Sequence, residues 1–188
     1  MGFLSLLFGK KAKQTKHTEQ SLKEIYLQFA QMISGNDDAV LAEVRELFEQ
    51  TSAFLATHQE QYDERCIDTE RLSKEELYWI SFADILIAHN YAAEFDCKSE
   101  LEDFEYFLKA LQGFKSYPAV DFPALDENEV VHIWIDQINA YWKNQPIALM
   151  QQDIDSDSHV VFPINKEHIA FLKAESKKIG QKFYETGL

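Results

Sequence analysis

The sequence predicts an α+β fold, helix-rich and contained in one domain, and three observations carry that prediction. Leu77 to Ala88 reads LYWISFADILIA, in which only Ser81 and Asp84 are plainly polar. A helix apolar on every side belongs inside a domain, covered by other elements on all its faces. Around it lie segments whose apolar residues recur at helical spacing, about six helices in all with this central one at 73–89. Short runs at 91–97, 147–153 and 159–164 read as a small sheet of about three strands. With 188 residues the chain can bury about 70% of the surface its unfolded form exposes, so one core suffices without a disulfide or structural metal. Residues 1–18 read as a basic tail and linker ahead of a single domain spanning 19–188.

Each element has its own signal. The first helix starts at Glu19 with Leu22, Ile25, Tyr26, Phe29, Met32 and Ile33 on one stripe, until Ser34-Gly35-Asn36-Asp37 interrupts it. The second carries Val40, Leu41, Val44, Leu47, Phe48, Phe54 and Leu55, with Asp37 and Asp38 suited to its positive end. So short a turn predicts that the two pack antiparallel. His58 to Asp68 is charged and unpatterned and reads as an exposed connection. The central helix opens on a capping box, Ser73 with Glu76, and Leu72 is placed to staple against Leu77. After His89, Tyr91, Ala93, Phe95 and Cys97 alternate with Ala92, Glu94 and Asp96, as in a strand with one buried face. Ser99 with Glu102 is a second capping pattern, followed by Leu101, Phe104, Phe107, Leu108 and Leu111 on an inner stripe and Gly113 as a stop. Phe114 to Pro123 is an irregular loop, and Asp126 with Glu129 repeats the capping pattern before Val131, Trp134, Ile135, Ile138, Tyr141 and Trp142. Ile147–Asp153 and His159–Ile164 flank Asp155-Ser156-Asp157-Ser158 as a β-hairpin. Asn165 caps a last helix with Ile169, Leu172, Ile179 and Phe183 on its stripe.

Charge and composition narrow the function classes. The net charge of -14 is uneven: four lysines, Lys10, Lys11, Lys13 and Lys16, precede Glu19 with no acid among them, so all 32 acids lie in the remainder. That field repels nucleic acid and anionic lipid from the body and speeds encounter with a basic partner. Glycine is scarce at six residues, and GxGxxG, GxxxxGK[ST] and GxSxG are absent, which argues against phosphate-cradling loops and a nucleophile elbow. Cys66 and Cys97 are far apart without a CxxC, so reduced cytoplasmic thiols are expected, and no cofactor is. At the start, Phe3, Leu4, Leu6, Leu7 and Phe8 precede Lys10 and Lys11. This run is too short for a signal-peptide core or a bilayer span of about 20 residues. It reads either as a weak interfacial membrane contact or as a segment that docks on its own domain or on a partner.

Two places are candidates for chemistry. Asp153, Asp155 and Asp157 at alternate positions are similar to the opening of a calcium loop, but Ser158 stands where glycine is needed and Ile164 where the bidentate glutamate should be. A solvated turn is the favoured reading, since aspartate bonds its own main chain there. Asp84 is a carboxylate within the apolar helix, where burial raises a pKa or demands a partner. Of the six histidines, His89 or His132 beside Asp84 is the pairing worth examining, as no two occur with metal-binding spacing.

FADILIAHNYAAEFDCKSELEDF, with ALMQQDIDSDSHVVFPI further on, resembles a bacterial family known as domain of unknown function 6630, over roughly Trp79 to Phe183. His159 stands where an aromatic is expected. The resemblance implies architecture and no activity. The leading functional expectation is a non-enzymatic, cytoplasmic binding protein whose acidic surface, Glu94, Asp96, Asp153, Asp155 and Asp157, covers a basic partner as toxin-neutralising immunity proteins do, with no role for nucleic acid. The alternatives are a metal-dependent hydrolase using Asp96, Asp153, Asp155 and Asp157 at one sheet end, and a peripheral membrane scaffold acting through Phe3 to Lys13.

Overall fold

The computed structural model describes residues 18–64, 67–69 and 71–185; the segment from Phe3 to Lys16 and Cys66 lie outside the described residues. Among the described residues the chain runs α1 (Glu19–Ser34), α2 (Asp38–Glu49), α3 (Thr51–Glu64), α4 (Lys74–Ala88), β1 (Ala93–Asp96), α5 (Leu101–Lys109), a 3-10 turn (Gln112–Ser116), α6 (Val131–Tyr141), β2 (Ile147–Gln152), β3 (Ser158–Asn165), α7 (Lys166–Lys178) and β4 (Phe183–Tyr184). The strands form one antiparallel sheet in the order β1-β3-β2-β4. The fold is α+β, with the helices covering both faces of that sheet.

Helix ends follow local chemistry. Thr18 caps α1 by accepting the Ser21 N–H, and Gly35 ends it in the left-handed region at φ 65°. Asp37 caps α2 through Ala39 and Val40. The Ser73 box closes in both directions: Ser73 N–H donates to Glu76 Oε2 at 2.7 Å and Glu76 N–H to Ser73 Oγ at 3.2 Å.

Alternation along the strands sends side chains into two separate cores. Met150, Val160, Phe162, Ile164 and Phe183 pack with α1, α2, α4 and α7. Ala93, Phe95, Leu149 and Val161 pack with α5 and α6, where Trp134 and Trp142 are buried. The sheet is therefore the middle layer, and α4 belongs to one outer layer while burying Leu77, Tyr78, Trp79, Phe82, Ile85 and Leu86. Tyr26 of α1 meets Phe48 and Phe82 edge-on, with ring centres 5.2 and 5.4 Å apart. Contacts of this kind are each worth about 0.5–1.5 kcal/mol beyond the area they bury.

Several expectations need correction. The sheet has four strands: Gly180, at φ 78°, ends α7, so Phe183 enters β4 beside Gln152 instead of extending the helix stripe. Residues 51–64 are a third helix, separated from α2 by the non-helical Gln50, so His58 to Glu64 is helical. The first strand is confined to 93–96. Glu100 replaces Ser99 as the N-cap residue of α5, and Phe107 stays 52% exposed because Phe104 and Leu108 take the inner face. Tyr141 likewise remains 56% exposed. The capping pattern at Asp126 makes a turn instead, its carboxylate accepting from the Asn128 backbone and side-chain amides. The Trp134 indole holds that loop by donating to the Asp126 carbonyl at 2.8 Å, and α6 begins only at Val131.

The β2–β3 pair is closed locally at Leu149 and Pro163, beyond the reach of β4 and β1. Leu149 donates its N–H to Asn139 Oδ1 at 2.8 Å and accepts from Asn139 Nδ2 at 3.0 Å, so its backbone groups point away from β3. Its partner Pro163 therefore turns its hydrogen-free nitrogen toward the side where β1 has ended. Gly113 packs there so closely that a Cβ on it would lie 2.6 Å from Pro163 Cγ.

Candidate functional site

A cleft of about 840 Å³ opens where the first turns of α4, the β2–β3 hairpin and the chain after α7 meet. That volume is in the range of small-molecule and peptide side-chain pockets. Trp79, Ile80, Leu72, Ile67 and Ile154 supply an apolar lining. Among the described residues Asp68, Glu76, Glu94, Asp153, Asp155 and Asp157 surround it, against the cations Arg71 and Lys182.

The hairpin is fixed to α4 by two side-chain-to-backbone hydrogen bonds and to the chain after α7 by one backbone bond. Trp79 Nε1 donates to the Asp153 carbonyl, Gln152 Nε2 donates to the Trp79 carbonyl at 2.7 Å, and Asp153 N–H donates to the Lys182 carbonyl at 3.0 Å. At the tip, Asp155 has φ 56°, a conformation that aspartate tolerates better than most residues. Asp153 Oδ1 accepts the Asp155 N–H at 3.2 Å, Ser156 Oγ accepts the Ser158 N–H at 3.1 Å, and Ser158 Oγ donates to Glu94. Asp155 and Asp157 are exposed. Lys182 lies 3.7 Å from Asp153 and Arg71 2.8 Å from Asp68, so each cation already faces a carboxylate.

Four of the five acids expected to form the surface therefore line one cleft. Asp96 does not; its Oδ1 accepts the Lys98 N–H at 2.8 Å in the turn toward α5. Asp68 and Glu76 were not anticipated. Glu76 was legible in principle, because the capping box places it one turn before Trp79 and Ile80 on the same helix side. Among the described residues no three His, Cys, Asp or Glu side chains converge to hold a metal ion. Asp153, Asp155 and Asp157 thus build a turn, and the metal-dependent reading gains no donor set from the geometry. Asp84 is half-buried, with Oδ2 out of solvent.

A family model described as Domain of unknown function (DUF6630) matches residues 25–186. The chain belongs to this family. The DUF6630 match begins well before Trp79, so most of α1 and all of α2 and α3 are part of it together with the cleft and the sheet. No curated protein and no solved structure matches the chain. Among the described residues no helix is long and apolar enough to cross a membrane.

Two histidines of this DUF6630 chain meet on one carboxylate. His89 Nε2 lies 2.6 Å from Glu43 Oε2, and His58 Nε2 lies 3.3 Å from Glu43 Oε1, so Glu43 ties α2 to α3 and to the end of α4. His132 instead faces His159 across α6 and β3, with ring centres 6.3 Å apart. His159 Nδ1 donates to Gln151 Oε1 at 2.7 Å, and the Tyr184 hydroxyl donates to the same oxygen at 3.3 Å. Burial pushes the His159 pKa below its ordinary value, the nearby His132 adds to the shift, and Asp96 opposes it. This cluster lies on the sheet face opposite the cleft.

Proposed function

We propose that this protein is a non-enzymatic, cytoplasmic binding protein of bacterial type that takes a lysine- or arginine-rich segment of a partner into the acidic cleft. One observation carries the reading: among the described residues, six carboxylates and two cations surround an apolar lining at the junction of three elements. Carboxylates around a concave surface concentrate field and draw cations in, and the apolar floor accepts the hydrocarbon stems of lysine and arginine. Neutralisation of a basic toxin is the specific form of this proposal. Electrostatic encounter of this kind steers association and weakens with salt.

The test is calorimetric titration of the full chain with a lysine-rich peptide of about ten residues, at low and at high ionic strength. Binding that weakens with salt and falls in an Asp155→Asn/Asp157→Asn variant supports the reading. Absence of heat at low ionic strength, or affinity unchanged in that variant, removes it.

A further inference from the structure

We infer that the cleft has an intramolecular occupant: the chain's own segment from Phe3 to Lys16 docks in it and competes with the basic partner. The inference rests on the reading of the cleft as a cation-binding surface. It is carried by position, by reach and by matching chemistry on both sides.

The described chain begins at Thr18, the cap of α1, and Glu19 next to it is ion-paired to Lys74 at 3.0 Å and accepts from the Tyr78 hydroxyl at 2.9 Å. Lys74 stands in the first turn of α4, and Glu76 two residues later lines the cleft. The segment is therefore tethered about one helix diameter, roughly 10–12 Å, from the cleft rim. At about 3.3–3.6 Å per residue, Lys16 reaches about 10 Å from Glu19 and Lys10 about 30 Å, so the cluster of lysines spans the distance with chain to spare.

The composition of the segment mirrors that of the cleft. Phe3, Leu4, Leu6, Leu7 and Phe8 are followed by Lys10, Lys11, Lys13 and Lys16 with no acid among them. The cleft presents Trp79, Ile80, Leu72, Ile67 and Ile154 within a carboxylate rim. A free membrane surface matches the same segment chemically, but the acidic body repels anionic lipid. Tethering sets the energetics: at an effective concentration of about 1 mM, a contact with a Kd of only about 100 µM in trans is about 90% formed in cis and weakens a competitor about tenfold.

The experiment compares the full chain with a full-length K10E/K11E/K13E/K16E variant, using two probes, a synthetic peptide of residues 2–17 and the lysine-rich peptide. Trp79 lines the cleft whereas Trp134 and Trp142 are buried in the other core, so the three indole N–H resonances contain their own control. The expected result is that the Trp79 indole signal differs between the two proteins while those of Trp134 and Trp142 do not, and that both peptides bind the variant about tenfold more tightly than the unmodified chain. Identical Trp79 signals with equal affinities overturn the inference. Concentration-dependent dimerisation of the unmodified chain that disappears in the variant also overturns it, since the segment then occupies a second copy. If the lysine-rich peptide binds both proteins equally and the 2–17 peptide binds neither, the cleft function stands and the internal occupant falls. If neither peptide binds the variant, both readings fall together.

Discussion

Gln151 and Gln152 are successive residues of β2, 0% and 1% exposed, and they point to opposite faces of one sheet. Each leaves one amide atom buried without a hydrogen-bond partner among the described residues, Nε2 of Gln151 and Oε1 of Gln152. Their settings are otherwise unlike. Gln152 donates to the Trp79 carbonyl and so fixes the wall of an open, acidic cleft. Gln151 receives His159 and Tyr184 in a covered cluster. The Asp136 carboxylate on the same side also keeps Oδ1 buried without a hydrogen-bond partner among the described residues. The difference teaches where each face can respond to its surroundings: the α4 face through charges exposed to solvent, the α6 face through the proton affinity of a half-buried histidine.

The two faces can be separated by experiment. Phe162→Ala on one side and Trp134→Ala on the other remove fully buried rings and should each cost about 3–5 kcal/mol. Urea unfolding should show one shared transition for both variants, because both cores are built on the same strands. A second transition retained in either variant would show instead that the faces unfold separately. Gln151→Leu should cost about 1–3 kcal/mol, because it strands two donors, and Gln152→Leu about 1 kcal/mol less, because it strands one acceptor; equal losses would erase the asymmetry. Ser73→Ala opens the capping box of α4 and should cost about 1 kcal/mol, read as a lower midpoint with an unchanged slope.

His159 gives the α6 face a dependence on acidity. Its folded pKa lies below the unfolded value of about 6.5, so its neutral form is favoured in the fold. The stability it permits is complete above about pH 6.5 and declines as the pH falls toward the folded pKa, where the unfolded chain binds the proton first. His159→Gln should flatten the midpoint between about pH 7.5 and about pH 5 relative to the unmodified chain. An unchanged slope would mean that burial does not depress this group. The smallest effect is reserved for the cleft rim: Asp155→Asn/Asp157→Asn should alter stability by no more than about 0.5 kcal/mol, since both side chains are exposed and Asn tolerates the backbone of Asp155.

The helices were legible where a local motif and a stripe agreed. Ser73 with Glu76 announced α4, and Asp155 to Ser158 announced the hairpin, because caps and turns act over a few residues. Ser99 and Asp126 carried the same letters without becoming caps, since the Asp96 turn and the Trp134 indole impose other geometry on those segments. The two-residue β4 could not be read, because Phe183 continues the spacing of Ile179 and only the backbone of Gly180 breaks it. Four acids of the cleft were visible as a charged hairpin and strand, but their meeting with Asp68 and Glu76 depends on how α4 packs against the sheet. The His132–His159 pair was invisible for the same reason: the partners are 27 positions apart on different elements. A sheet as the middle layer was also hidden, because four short strands carry less periodic signal than one apolar helix.

Asn139 and Pro163 have a consequence for how copies of this chain behave when crowded. A strand with free backbone groups is a template on which further chains can add and polymerise. Here an amide side chain imitates the missing neighbour of Leu149, satisfying both its donor and its acceptor, while Pro163 offers no donor on the opposite flank and Gly113 covers it. The stretches of β2 and β3 at Leu149 and Pro163 that β4 and β1 leave unpaired are thus blocked against templated addition by side-chain chemistry, without relying on surface charge.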